Sequence, residues 1–427
     1  MTGFKHGIRA LSHRNYRLFF AGQSVSLIGT WMTRIATSWL VYRLTDSVWL
    51  LGLVGFLSQL PIFLMAPVGG VLADRWNCHR TLLITQVLAM IHAFIMAGLA
   101  LSGVITVWQI FVLSVFQGLI KALDIPARQA FLPEIVVNRE DLPNAIALNS
   151  STINAARLVG PSIAGVLIAT TGEGICFLLD GISYIAAIAA LLAMKVKPSE
   201  PKRERQHVLR ELKEGLIYTF GFAPIRSILL LLALVSLVGI PYTVLMPVFA
   251  MEILHGGPNT LGFLMGAAGV GALSGALYLV SRRTPHGLET TIMLAAMVFG
   301  VGLVALSFSR VLWVALLLML LTGFGMIAQA ASSNTVMQVL VDDDKRGRVM
   351  SFHAVAFMGM TPFGSLLAGG LASKLGVPDT LFIGGICCIL GAILFGIKLP
   401  MLRQVVHPIY ARKGMIPEVT SGIETAP

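Results

Sequence analysis

Gly69 to Arg80 reads GGVLADRWNCHR. The stretch leaves an apolar run and crosses a short charged loop. Another apolar run begins at once with Thr81-Leu82-Leu83-Ile84. Two membrane helices joined by a very short loop have this form. Gly69 and Gly70 allow close helix contact. Asp74 falls where a helix meets water, where its charge is tolerated and can cap a neighbouring helix N-terminus. Arg75 and Arg80 mark that side of the membrane as cytoplasmic.

The rest of the chain agrees with a membrane setting. Of 427 residues, 56% are hydrophobic and only 12% are charged, against roughly 25% charged in soluble domains. No soluble segment is long enough to hold its own core. Cys78, Cys176, Cys387 and Cys388 are scattered without ligand spacing, so neither a disulfide framework nor a metal site is expected. The net charge of +11 is explained by placement rather than by nucleic acid. Basic residues gather before the first run (Lys5, Arg9, Arg14, Arg17), in the middle (Lys195 to Lys213), at Arg282-Arg283, at Lys345 to Arg348 and in the tail. The opposite loops hold Arg43, Arg310 and Lys374. That asymmetry predicts both termini in the cytoplasm. The basic start leads into a long apolar run with no small-residue cleavage site, so no signal peptide is expected.

Twelve runs have the roughly 20 residues that a bilayer requires. They cover Leu18–Tyr42, Leu50–Ala73, Leu82–Leu101, Val107–Ile125, Ala145–Ala169 and Ile175–Met194, then Ile225–Met251, Leu261–Val280, Thr291–Phe308, Val311–Leu340, Arg348–Ala372 and Thr380–Leu399. The expected fold is all-α and polytopic, with a six-helix half over residues 1–194 and a second over 224–400. Residues 195–223 form a cytoplasmic linker, with a short amphipathic helix over Val208–Tyr218, and 401–427 a loose polar tail. Leu51-Gly52 through Arg75 parallels Leu261-Gly262 through Arg283, and Gly160-Pro161 parallels Thr361-Pro362. Two parallel repeats place a substrate site near midplane between the halves. The second-half loop SRRTPHGL lacks the acid of the first.

The pattern G-x-x-x-D-R followed by basic residues, between the second and third runs, resembles the loop signature of the major facilitator superfamily. The resemblance implies the twelve-helix major facilitator fold, with this loop as part of an inner gate. Gly70, Asp74, Arg75 and Arg80 match it, while Cys78 stands where relatives usually carry a basic residue. The gate acid on the fourth helix would be Asp124, paired through Arg75, His79 or Arg80. Gly160-Pro161 with Gly165 resembles the fifth-helix signature of exporters in this superfamily, with Ala164-Gly165 where relatives have two glycines. A bend and close packing against the other half follow from it. The stretches DIPARQAFLPEIV, REDLPNAIALNS, WMTRIATSWLVYRLT and GEGICFLLDGISY closely resemble the enterobactin-exporter-like branch.

No catalytic triad, metal cluster or phosphate-cradling loop is legible, so no enzyme, cofactor or ATP site is expected. Ionisable residues within spans are costly and mark function by default. Arg34 lines a cavity, snorkels towards the membrane surface or pairs with a nearby carboxylate. Ser150, Asn154, Arg157 and Pro161 recur at helical spacing as a polar stripe, lining a cavity, making a contact between the halves or forming a buried structural pair. Lys121 and Asp124, three apart, can pair along their helix. Asp180 and Glu252 are the candidate proton carriers, since burial raises a carboxylate's pKa. Gln23, Gln329 and Asn334 are candidates for cavity hydrogen bonds.

The resemblance implies a monomeric exporter of the inner membrane, working by alternating access and proton antiport. Its partners would be an amphipathic small molecule such as a siderophore or drug, protons and membrane lipids. A lysophospholipid or other lipid transporter is the alternative, and a non-transporting sensor or scaffold a more distant one.

Overall fold

The computed structural model describes residues 9–75, 77–136, 138–196, 217–282, 287–342 and 345–412. For 66–75, 139, 348, 411 and 412 it describes the backbone alone. A 3-10 turn, Arg9–Ser12, leads into α1 (Arg14–Thr45), α2 (Val48–Arg75), α3 (Cys78–Leu101), α4 (Val107–Ile135), α5 (Leu142–Thr171) and α6 (Glu173–Leu192). Then follow α7 (Ala223–Ile253), α8 (Pro258–Ser281), α9 (Leu288–Phe308), α10 (Leu312–Leu340), α11 (Val349–Leu375) and α12, Val377–Arg412. Among the described residues, eleven helices are long and apolar enough to cross a membrane. α1 carries more charge but has 32 residues, about 48 Å of helix, and makes the twelfth.

Local chemistry sets the ends. α1 stops at Asp46, which takes a left-handed φ of 47° and donates its N–H to the Tyr42 carbonyl, closing the last turn. Thr106 and Gln109 form a reciprocal capping box that starts α4. A glycine with φ near 90° turns the chain from α5 to α6 (Gly172) and from α11 to α12 (Gly376). A side chain there would be strained, and the same device sits at the same place in each half.

Helices α1 to α6 pack as one bundle and α7 to α12 as another, joined chiefly along α5 against α8 and α2 against α11. Both seams are built from small residues. A Cβ on Gly165 would lie 2.8 Å from the Gly262 Cα, and one on Gly52 would lie 2.8 Å from the Gly369 Cα. Lipid offers apolar side chains no reason to leave it, so close backbone approach supplies the packing. Large side chains such as Trp108, Leu64, Leu317 and Ile397 remain exposed on the outside of the bundles, as lipid-facing positions should.

Alternating twelve helices puts the described chain ends on one side, here called the basic end for Arg9, Arg14 and Arg17. Both glycine seams lie towards the opposite end. There Arg43 Nε pairs with Glu173 Oε1 at 2.8 Å, and the Arg310 guanidinium donates to the Ser307 and Ser309 carbonyls at the close of α9.

One expectation is corrected. Residues 401–412 are not a loose tail: α12 runs through Pro400 to Arg412. Leu399, Leu402, Val406 and Tyr410 are buried in a stripe, and Tyr410 Oη donates to Glu289 Oε1 at 2.6 Å. The exposed Arg403 and His407 hide that stripe in the composition. α7 and α11 depart from regular α-helix. Each contains a π-helical stretch, Val235–Gly239 and Val355–Gly359, just before a proline, Pro241 and Pro362. A proline lacks the N–H that continues a helix, and wider turns absorb the mismatch. Most of the linker, including the amphipathic helix expected up to residue 216, and residues 413–427 lie outside the described residues.

Candidate functional site

The two arginines that the sequence singles out meet around one ring. The Arg34 guanidinium from α1 and the Arg157 guanidinium from α5 each lie 5.2 Å from the centroid of Trp31. Gly160 creates the geometry: a Cβ there would lie 2.5 Å from the Trp31 Cβ and 3.0 Å from the Ile28 carbonyl. α5 therefore presses onto α1 at that level, and Arg157, one turn earlier, is brought beside Trp31. The α7 segment Tyr242–Val248 packs against α1, so the second bundle approaches this group. Arg34 nevertheless keeps an exposed side chain. The group lies where α1, α5 and α7 approach one another, at the face the first bundle turns to the second.

Among the described residues no carboxylate lies within ion-pair distance of either guanidinium. Arg157 Nε and Nη1 are buried and make no hydrogen bond. Cation–π contact with the ring offsets part of that desolvation, about 2 kcal/mol for a buried pair.

A second group lies inside the first bundle. Asp124 is buried and accepts from Thr85 Oγ1 at 3.0 Å and Gln86 Nε2 at 2.9 Å. Arg128, one turn on, donates to its other oxygen. Among the described residues the ion-pair partner of Asp124 is Arg128, not Lys121, His79 or Arg80. His79 bonds the Leu191 carbonyl instead, and Arg80 is exposed, its backbone N–H capped by Asn77. The side chains of Gly70, Asp74 and Arg75 lie outside the described residues.

Asp180 on α6 is closed off from solvent. Its Oδ2 accepts from Thr33 Oγ1 at 2.6 Å, and its Oδ1 has no partner. Gly29 makes room for it, since a Cβ there would lie 2.5 Å from Oδ1. Glu252 is not buried. It is exposed at the end of α7 and accepts from Tyr42 Oη of α1, a contact that ties the two bundles together away from the basic end.

The remaining candidates are dispersed. Asn154 turns back on its own helix, Nδ2 donating to the Ser150 carbonyl at 3.0 Å. Gln329 is buried and reaches Ser333 four residues on. Asn334 accepts from Gln338, and Gln23 is buried with its Oε1 unpartnered. Gly165 faces the other bundle, whereas Gly160 packs within its own. The sequence reading missed Trp31, Tyr42 and Arg128. Trp31 and Arg128 were within reach of helical spacing, at three and four residues from Arg34 and Asp124. Tyr42 meets its partner only across the bundle interface.

A twelve-helix membrane protein of two bundles with polar residues enclosed between them is a secondary transporter of small molecules, built on the major facilitator fold. The profile of the family described as transmembrane secretion effector matches residues 6–412, and the chain belongs to that family. It is similar to the Staphyloferrin A transporter of Staphylococcus aureus, 28% identical over 89% of this chain and 95% of the relative. It is also similar to the Enterobactin exporter EntS of Escherichia coli O1:K1, 25% identical over 92% of this chain and 94% of the relative. Among solved structures, a POT family transporter in complex with 5-aminolevulinic acid superposes with a TM-score of 0.70 at 12% identity, covering 91% of this chain and 96% of that one. A bacterial homologue of the human lysosomal transporter Spinster gives 0.67 at 13% identity, covering 94% and 98%.

Proposed function

We propose that the protein exports a small amphipathic molecule, of the siderophore or drug-like kind, across the inner membrane by alternating access. The observation that carries the proposal is the Arg34–Trp31–Arg157 group, with Arg34 exposed and Arg157 half-buried where the bundles meet. The seams at Gly165–Gly262 and Gly52–Gly369 and the Tyr42–Glu252 contact hold the bundles together at the end away from the basic residues. With the basic end cytoplasmic, this is the state that receives cargo from inside. Rocking about the seams would open the opposite end, and the loop at Asp74 would help latch the basic end closed. The names of the relatives favour a siderophore as cargo. Proton antiport is the proposed energy source, with Asp180 the candidate carrier because its carboxyl is buried and half unpartnered.

The test is efflux of a panel of siderophores and fluorescent amphiphiles from cells overexpressing the protein, with and without a protonophore. Selective loss of a compound, abolished when the proton gradient is collapsed, is the expected result. A panel in which no compound moves would overturn the export assignment. Loss that persists without the gradient would overturn proton coupling alone.

A further inference from the structure

Two arginines placed between membrane bundles with no counter-charge are costly. Both guanidiniums lie 5.2 Å from the same ring centroid. They are therefore no farther apart than about 10 Å, where like charges repel by roughly 1.7 kcal/mol at an effective dielectric of 20. Arg157 adds two buried N–H-bearing nitrogens, Nε and Nη1, with nothing to donate to. Leaving buried charged donors unmet costs at least about 1–3 kcal/mol each. Two other internal charges are paired: Asp124 with Arg128 and Glu173 with Arg43. The two arginines form a site where an acceptor is missing.

We propose that the cargo is an anion. Its oxyanion, a carboxylate or phenolate, sits between Arg34 and Arg157 while its apolar body lies against the surrounding α1, α5 and α7 walls. The proposal deepens the export reading and rests on its assignment of this space as the cargo site. A guanidinium offers planar, paired donors that match two oxygens at once, and Arg34, whose side chain is exposed, presents such a fork. Trp31 keeps both side chains in place from one side, so the site is organised before cargo arrives. A cationic amphiphile in the same place would meet two positive charges and gain nothing from them.

The test uses two xanthene dyes of similar shape and opposite charge, carboxyfluorescein (anionic) and rhodamine 123 (cationic). Binding to the purified full chain in nanodiscs is followed by fluorescence anisotropy. The expected result is that carboxyfluorescein binds at least tenfold more tightly than rhodamine 123. Arg34→Gln or Arg157→Gln should weaken it tenfold or more, and Arg157→Lys should weaken it less than Arg157→Gln. Thermal melts check that each variant is folded; if Arg157→Gln does not fold, Arg34→Gln carries the comparison. Equal or tighter binding of rhodamine 123, or folded glutamine variants that bind carboxyfluorescein like the parent, would overturn the proposal. Transport in proteoliposomes separates the two readings. Movement of rhodamine 123 without arginine-dependent carboxyfluorescein binding would leave export standing and remove the anion site. Arginine-dependent binding with no movement of either dye would support the anion site and remove export.

Discussion

The seam between α5 and α8 gives a prediction whose size follows from the coordinates. In Gly262→Ala, the added Cβ would lie 2.9 Å from both the Gly165 Cα and the Pro161 carbonyl oxygen, and 3.2 Å from the Gly165 nitrogen. Carbon atoms in favourable contact sit about 3.5–4.0 Å apart, so the helices must separate by roughly 0.6–1 Å, forfeiting a quarter to a half of each contact along the crossing. The atoms in the way are backbone, which no rotamer change can move. Overpacking of this kind costs about 1–3 kcal/mol. The penalty falls only on the state in which these ends touch, so the equilibrium should shift about 5- to 150-fold towards the state open away from the basic end. Spin labels at Thr170→Cys and Asn259→Cys, both exposed near the seam, report the change as a longer distance by double electron–electron resonance once the four native cysteines are replaced. Gly98→Ala is the control, because nothing lies within 4 Å of its Cβ. A Gly262→Ala distance distribution identical to the parent's would refute the argument that backbone contact at the seam sets the state.

Three further outcomes are expected. Asp74→Asn should slow transport at unchanged expression, read as initial efflux rate per protein; normal turnover would remove the gate role of the loop. Asp124→Asn leaves Arg128 as an uncompensated, largely buried cation, costing roughly 3–5 kcal/mol. Its melting temperature should drop, with partial recovery in the Asp124→Asn/Arg128→Gln double variant, and a double variant no better than the single would show that charge pairing is not what matters there. At the basic end, the His13 ring bonds Asp141 Oδ2 at 2.8 Å and Arg9 Nε pairs with Oδ1 at 2.8 Å. The His13 hydrogen bond first, then the charge of Arg9, hold the Asp141 carboxyl below its usual range. A lowered carboxylate pKa stabilises above the unfolded value, about 3.9, and that stabilisation is lost as pH falls through the native value. Hydrogen-exchange protection of residues 10–17 should therefore be level from pH 7 to pH 5 and fall below about pH 4. A loss already near neutral pH would rule out Asp141 as the anchor.

The membrane class, the number of spans and the six-plus-six plan were legible because the bilayer imposes them locally. Each span must satisfy its own backbone and must be apolar for about 20 residues, and both constraints are written along the chain. Arg34, Arg157 and Asp180 were legible for the same reason, since a charge inside an apolar run is too costly to persist without a role. The end of α12 was misread because its buried stripe alternates with Arg403 and His407, and average polarity conceals a four-residue period. The pairing of Asp124 was misread because Lys121 and Arg128 both lie one turn away, and sequence spacing does not choose between them.

Partnerships across helices belong to another level. Neither the meeting of Arg34 and Arg157 at Trp31, nor Tyr42 with Glu252, nor Gly165 with Gly262 follows from any local pattern. Each depends on which faces of α1, α5, α7 and α8 approach, and that is decided by where small residues let backbones come closest. By itself, the sequence determined that the chain spans the membrane and which costly charges it carries there. The tertiary structure alone decided which charges are neutralised, as Asp124 is by Arg128, and which are not, as with Arg34 and Arg157. Charge balance inside a membrane is a property of neighbours in space, not of neighbours along the chain.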